Sequence, residues 1–95
     1  KPRMRDDGKV RVWLVERTYS DDEQNLIILE YATIDGERYM RKERALTSFD
    51  DVRETTAAMD VDPDRLAPVK DDDLRERYAA EAERMSEKYG PGETV

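Results

Sequence analysis

The large apolar residues of this chain are crowded into one stretch, and that stretch limits what the chain can fold into. Leu, Ile, Val and Phe account for 17 of the 95 residues, and nine of them lie between Val10 and Ile34. With a net charge of −7, so low an apolar content is close to that of disordered proteins. The crowding nevertheless supplies enough apolar surface for one small core. The sequence therefore predicts a single folded domain built around this stretch.

The apolar stretch has the pattern of β-strands. Residues 9–19 alternate between apolar and polar side chains and are rich in β-branched and aromatic types, which is typical of a strand. Residues 25–34 have apolar side chains at both odd and even positions, which predicts a central strand covered on both faces. Asp35-Gly36 is a strong signal for a hairpin turn of type I′. Residues 37–46 then form a third strand.

Two helices are predicted after the strands. The first covers residues 49–59, with Ser48 at its N-cap. Its apolar face is spaced at three or four residues: Phe49, Val52, Thr56 and Met59. The second helix is capped by Asp71 and stopped by Gly90-Pro91. Its apolar stripe, which we expect to dock on the sheet, is Leu74, Tyr78, Ala82, Met85 and Tyr89.

These elements predict an α+β fold. We expect a three-stranded antiparallel sheet in β-β-β-α-α order, with the two C-terminal helices packed on one of its faces. Residues 1–8 are predicted to form a loose polar leader, residues 9–89 the domain and residues 90–95 a disordered tail. Between the helices, Asp62-Pro63 predicts a short turn that directs Leu66 inward.

The charge is uneven and has a characteristic composition. Residues 1–46 sum to zero, whereas residues 47–95 contain seven basic and 14 acidic residues and carry the whole net charge. Asp exceeds Glu by 13 to 11, and Arg exceeds Lys by 12 to 5. The pattern is typical of proteins in molar salt, where the Debye length of about 3 Å screens self-repulsion. The alternative is an ordinary acidic domain.

Several segments, taken in order, resemble a known family. They are residues 10–19, Tyr31-Ala32-Thr33, Asp35-Gly36-Glu37-Arg38, residues 61–66, Arg77-Tyr78-Ala79 and Arg84-Met85. Together they resemble a family of small acidic haloarchaeal proteins that has no assigned function. The resemblance spans residues 10–89. It implies a cytoplasmic protein of a salt-adapted cell, and it implies no catalytic or binding residue.

The residue types exclude several classes of site. The chain has no Cys, which excludes disulfides, thiolate zinc sites and iron–sulfur clusters, and no His, the commonest general base. Its four glycines are isolated, so there is no Gly-rich phosphate loop. The longest apolar run, residues 26–29, is too short to cross a membrane. We therefore predict no enzymatic activity, no cofactor, no metal site, no membrane partner and no specific small-molecule ligand.

One group of carboxylates is a candidate for acid–base chemistry. Glu30 and Glu43 lie in neighbouring predicted strands, and Glu16 can join them on one face. Catalysis would require a concave pocket that raises the pKa of one carboxyl group. We expect surface ion pairs instead, with Arg41 opposite Glu30 across the hairpin.

One face of the predicted sheet is the candidate contact surface. The turn at residues 35–36 places Tyr31 opposite Met40 and Leu29 opposite Lys42. If Tyr19 pairs with Asn25, the first strand adds its odd-numbered residues to the same face. This basic/aromatic face has no acidic residue, and its members are Arg11, Trp13, Arg17, Tyr19, Tyr31, Arg38, Met40, Lys42 and Arg44.

Three interpretations of the basic/aromatic face remain open. Trp, Tyr, Met and Arg are enriched in protein interfaces, so the face can contact a protein partner or a second copy of the chain. Single-stranded RNA or DNA is the alternative, with bases stacked on the rings and phosphates on the cations. Trp13, Tyr31 and Met40 can instead be core residues. We predict a non-enzymatic protein-interaction module whose contact residues are Trp13, Tyr31, Met40, Arg11, Arg17, Arg38, Lys42 and Arg44.

Salt dependence tests the interpretation of the composition. We expect the Tm to rise by at least about 5 °C, or roughly 1 kcal/mol, as KCl is raised into the molar range, because screening removes repulsion among the acidic groups. Thermal unfolding followed by circular dichroism measures this shift. A Tm that does not depend on KCl contradicts the salt-adapted interpretation.

Overall fold

The computed structural model describes residues 8–19, 26–45 and 55–95. These residues form one antiparallel sheet of five strands in the order β4-β1-β2-β3-β5. The strands are β1 (Val10–Tyr19), β2 (Leu26–Ala32), β3 (Arg38–Ala45), β4 (Ala58–Val61) and β5 (Ala67–Pro68). A short 3₁₀ helix, Pro63–Arg65, lies between β4 and β5, and helix α1 covers Asp72–Lys88.

The predicted number of strands and helices was wrong. In place of a three-stranded sheet with two C-terminal helices, the described residues form a five-stranded sheet with one C-terminal helix. Residues 49–54 of the predicted first helix lie outside the described residues, and residues 55–59 are not helical. A stripe of four apolar positions does not separate a helix from a strand. The β-branched Thr55 and Thr56 favour extended backbone, and β4 gains a ladder against residues 10–13.

The register of the β2–β3 hairpin is the predicted one, whereas that of β1 is shifted. Tyr31 pairs with Met40 as expected. Tyr19 pairs with Ile27 instead of Asn25, and the ladder slips between Leu14 and Glu16. This slip is a β-bulge that leaves Val15 without a partner in β2. Because one extra residue reverses the alternation, the residues of β1 before the bulge lie on the face opposite to the expected one.

Alternate residues along the strands define two faces of the sheet. Helix α1 covers the helix face, where the Tyr78 ring lies 6.2 Å from that of Tyr39. The register assigns to the helix face Arg11, Trp13, Glu16, Glu30, Ala32, Tyr39 and Ala58. It assigns to the opposite face, here the far face, Val12, Leu14, Arg17, Leu29, Tyr31, Met40, Lys42 and Arg44. Leu29 and Ala32 are both buried, so the central strand is covered on both faces as predicted.

Helix α1 confirms the predicted cap and apolar stripe. The side chain of Asp71 accepts a hydrogen bond of 2.9 Å from the backbone N–H of Leu74, which satisfies one of the free donors of the first turn. The buried residues of the helix are Tyr78, Ala82 and Met85, spaced four and three residues apart along one face. None of the helices in the described ranges is long and apolar enough to cross a membrane.

The β2–β3 turn packs directly against the helix backbone. The turn spans Thr33–Gly36, since the Gly36 N–H donates to the Thr33 carbonyl oxygen at 2.8 Å. Gly36 has φ of +74°, and a Cβ at this position would collide with the Arg75 carbonyl oxygen and the Ala79 nitrogen. Only a glycine allows the hairpin and α1 to approach so closely.

The connection from β4 to β5 requires a curved sheet. These strands are the two edges, and four strand spacings in a flat sheet amount to about 19 Å. The chain crosses from Val61 to Ala67 through the 3₁₀ turn, which limits its reach to about 16 Å. The edges must therefore be closer than in a flat sheet, and the β1 bulge supplies local bending. Leu66, in this connection, packs against the core as predicted.

Residues 91–95 lie against residues 55–58, where the sequence predicted a disordered tail over 90–95. Three backbone hydrogen bonds join them: Ala58 N to Pro91 O at 3.1 Å, Ala57 N to Glu93 O at 2.8 Å and Val95 N to Thr55 O at 2.8 Å. The segment therefore extends the sheet beyond the β4 edge. Residues 1–7 of the predicted leader lie outside the described residues.

Replacement of Gly36 tests the contact between hairpin and helix. We expect Gly36→Ala to lower the free energy of unfolding by about 2–4 kcal/mol. The backbone of an alanine is strained at positive φ, and its methyl group would collide with α1. Urea unfolding measures the loss. Gly92→Ala is the matched control, since a Cβ there meets no atom within 4 Å, and it should change stability by less than about 0.5 kcal/mol. Equal effects of the two variants would disprove the close contact.

Candidate functional site

Three residues of the predicted contact set lie in the core. Trp13, Tyr31 and Met40 are only 8%, 4% and 5% exposed. Trp13 is on the helix face because of the β1 bulge, where it pairs with Ala32 and Ala58. In this structure their side chains stabilise the domain and offer almost no surface to a partner.

Arg11 is separated from the other predicted cations by the sheet itself. It lies on the helix face directly opposite Asp60 of β4. Its Nε donates to Asp60 Oδ1 at 2.9 Å and its Nη2 donates to Oδ2 at 3.3 Å. The hydrogen bonds and charge of Asp60 raise the pKa of Arg11. Arg11 is therefore one half of a cross-strand ion pair.

The register brings Arg17, Lys42 and Arg44 together on the far face. Arg17 and Lys42 flank Leu29 from either side, and Arg44 is opposite Ile27. We call these three residues the basic patch. Arg38 is exposed, but it lies four residues along β3 from Lys42, roughly 13 Å away, and does not belong to the patch.

The charges of the basic patch act on Tyr31. Burial raises the pKa of its hydroxyl, while Arg44 and Arg17 act in the opposite direction, so both guanidinium groups lie within electrostatic range of the hydroxyl. Arg17 Nη1 donates to the Val95 carbonyl oxygen at 3.0 Å. Within the described ranges, no ion pair joins Arg17 or Lys42 to a carboxylate. Arg17 and Lys42 therefore keep positive charge at the surface of an acidic domain, whereas Arg44 is half-buried and its Nη2 donates to Thr55 Oγ1 at 3.4 Å.

An exposed aromatic ring adjoins the basic patch. Tyr19 is 60% exposed and occupies the same row of the sheet as Ile27 and Arg44. The sequence predicted that Tyr19 belongs to the basic/aromatic face, but Tyr19 was not among the predicted contact residues. A strand-end position, where fewer neighbours cover a side chain, is the signal that identifies it.

On the helix face, Glu16 and Glu30 are held by two consecutive residues of α1. The two carboxylates are directly opposite each other in β1 and β2, an arrangement that is destabilising without a counter-charge. Arg77 Nη2 donates to Glu16 Oε1 at 3.1 Å, and the Tyr78 hydroxyl donates to Glu30 Oε1 at 2.5 Å. The pair thus fastens the helix to the sheet.

The carboxylates do not form the acid–base pocket that catalysis would need. Glu43 is exposed and makes an ion pair of 3.0 Å with Arg41. Arg41 is opposite Glu30 in the register, as predicted, but its ion pair is with Glu43. Burial, reinforced by the hydrogen bond to Glu30, raises the pKa of the Tyr78 hydroxyl well above its usual value, which keeps it a proton donor. No metal-binding cluster of carboxylates is present in the part of the chain that the structure describes.

Sequence comparison assigns the chain to a family. A model described as a family of unknown function, DUF7967, matches residues 5–95. The chain belongs to DUF7967. The comparison with curated proteins found no match, and neither did the comparison with solved structures. Membership of DUF7967 agrees with the expected resemblance to a family without an assigned function, whereas a salt-adapted origin stays a prediction.

Removal of the Tyr78 hydroxyl tests the fastening of the helix. We expect Tyr78→Phe to lower the free energy of unfolding by about 1–2 kcal/mol, because the half-buried Glu30 loses its donor. Tyr19→Phe, at an exposed ring, should change it by less than about 0.5 kcal/mol. Urea unfolding at neutral pH measures both, and equal effects would contradict the fastening role.

The pH dependence of the same pair follows from the raised pKa of Tyr78. The folded-state pKa lies above the unfolded value near 10, so the hydroxyl contributes stability that is fully present below about pH 10. That contribution is lost as pH rises through the folded-state pKa. The difference between the parent chain and Tyr78→Phe should therefore shrink above about pH 10.

Proposed function

We propose that this DUF7967 domain is a non-enzymatic, cytoplasmic protein-interaction module of a salt-adapted cell. It binds an acidic surface of a protein partner, or of a second copy of the chain, through the basic patch and Tyr19. The observation that carries the proposal is the placement of Arg17 and Lys42 on either side of Leu29 on the far face, in a chain of net charge −7, with no ion pair to a described carboxylate.

Charge and residue type favour a protein partner. Neighbouring cations repel one another, and an acidic partner removes that repulsion. Arg and Tyr are enriched in protein interfaces because each combines a large contact area with hydrogen-bonding groups. In molar salt only ion pairs in direct contact persist, so the interface requires close packing around the patch and Tyr19.

The chain itself has an acidic surface of the required kind. From residue 62 to residue 76, the exposed acidic residues are Asp62, Asp64, Asp71, Asp72, Asp73 and Glu76. Asp62 pairs with Lys9 and Asp72 with Arg75, while Asp71 caps the helix. Asp64, Asp73 and Glu76 make no ion pair with any described residue, which gives a second copy a surface complementary to the basic patch.

Single-stranded nucleic acid is the alternative ligand, and the structure leaves it fewer contacts. Base stacking needs accessible rings, and Trp13 and Tyr31 are almost completely buried. Tyr19 is the ring that adjoins the patch and is accessible. A net charge of −7 also disfavours binding to phosphates.

Neutralisation of the basic patch tests the proposal. A synthetic peptide with the sequence of residues 60–76 is titrated into the chain in low-salt and molar KCl, with binding followed by NMR amide shifts. We expect shifts at Tyr19, Arg17 and Lys42, and the double variant Arg17→Gln, Lys42→Gln should bind about five- to thirtyfold more weakly, since each lost ion pair costs roughly 0.5–1 kcal/mol.

The control for this experiment is Arg41→Gln, which removes one positive charge from the opposite face. It should leave peptide binding unchanged. An equal loss in the control would show that only net charge matters and would contradict a defined interface. Tighter binding of mixed-sequence single-stranded RNA, with a steep negative dependence on salt, would favour the nucleic-acid alternative.

A further inference from the structure

A cleft lies between the β1 bulge and the C-terminal half of α1, and it shares Arg17 with the basic patch. Its volume is about 220 Å³. Leu14 and Met85 are buried and line it, together with the half-buried Val15, Tyr89 and Val95. Charged residues complete the lining: Glu16, Arg17, Glu81 and Arg84. The buried part of the wall is therefore apolar and the rim is charged, and the bulge places Val15 in the wall.

The chain already places one of its own segments in this cleft. Residues 93–95 run antiparallel to residues 55–57 through one bridge, Thr94 opposite Thr56, while Pro91 and Gly92 lie in a turn. Val95 lines the cleft. The carbonyl oxygen of Val95 accepts from Arg17 Nη1. The segment thus shows the chemistry that the site accepts: extended backbone, an apolar side chain in the cleft and a main-chain oxygen on a guanidinium.

The segment fills its site incompletely. The cleft is open to solvent and keeps a volume of about 220 Å³. That space remains with the Val95 side chain in place, so a larger apolar side chain gains contacts that a valine does not make.

Residues 91–95 are held by hydrogen bonds more than by buried side chains. Pro91, Gly92, Glu93 and Thr94 are exposed, so the segment buries little apolar surface, and Gly92 has open space around its Cα. Segments with few buried contacts open at a small fraction of the global free energy of unfolding. The segment can therefore leave its position while the rest of the domain stays folded.

We propose that residues 55–58 and the cleft together form a slot for an extended segment of a partner protein, which replaces residues 91–95. The partner segment adds a strand to the sheet and inserts a bulky aliphatic or aromatic side chain where Val95 lies, with its main-chain oxygen on Arg17. This slot shares Arg17 with the basic patch but does not use Lys42, Arg44 or Tyr19.

The charges at the rim disfavour a basic side chain in the cleft. Arg84 is already paired with Glu81, at 2.5 and 3.1 Å, and Glu16 is paired with Arg77. A basic side chain would leave water without a free carboxylate at the rim. The slot therefore selects for size and apolarity at one position of an otherwise sequence-tolerant strand.

Binding of short peptides tests the slot. The chain with Val95→Ala, which weakens its own segment, is titrated with amidated five-residue peptides that copy residues 91–95 but end in Leu, Phe or Ala. We expect the Leu and Phe peptides to bind at least about tenfold more tightly than the Ala peptide. NMR shifts should occur at residues 55–58 and Val15.

Two controls separate this site from other surfaces. A Leu peptide that is N-methylated at its last residue loses the hydrogen bond equivalent to Val95 N to Thr55 O, and it should bind at least about tenfold more weakly. Lys42→Gln should leave peptide binding unchanged, although it weakens the contact with an acidic partner. The proposal is overturned if no peptide binds, if the Leu, Ala and N-methylated peptides bind equally, or if the shifts fall on Lys42 and Arg44 instead of residues 55–58.

Discussion

The position of β1 between β2 and β4 is the constraint on which the rest of the structure depends. The register of β1 is set by its pairing with β2 and also by its pairing with β4. A shift of β1 along one partner would break its pairing with the other, so the extra residue at Val15 remains as a bulge. Before the bulge, Trp13 is directed beneath the helix; after it, Glu16 meets Arg77 and Arg17 points to the far face. One unpaired residue thus decides which side chains form the core, which fasten the helix and which remain available for contacts.

Local patterns predicted the parts of the fold that depend on neighbours in sequence. The register of the β2–β3 hairpin follows from the turn at Thr33–Gly36, and the Asp71 cap and the spacing of Tyr78, Ala82 and Met85 define α1. The strands β4 and β5 have four and two residues and are stabilised by distant partners, β1 and β3. Such short segments have too little periodicity to be identified without those partners.

The same distinction explains which site residues were predicted. Lys42 and Arg44 lie on the predicted face because the hairpin register is local, and Arg17 joins them because it follows the bulge. Arg11 and Trp13 precede the bulge and lie on the opposite face. No sequence signal identified the bulge, since residues 12–15 are all apolar and give no preference for the position of an extra residue. The paired segment after Gly90 was also missed, because its hydrogen bonds are made to residues more than thirty positions away.

Arg17 connects the two surfaces of this DUF7967 domain. Its stem lies on the far face beside Leu29 and Lys42, whereas its Nη1 reaches the carbonyl oxygen of Val95 at the cleft. A guanidinium has five N–H donors and can serve a main-chain oxygen and a carboxylate at the same time. A segment seated in the slot fixes the orientation of the Arg17 side chain. Binding of an acidic partner then costs less side-chain entropy, because Arg17 is already ordered. Occupancy of the slot and binding at the basic patch are therefore expected to strengthen each other, as reciprocity between linked sites requires.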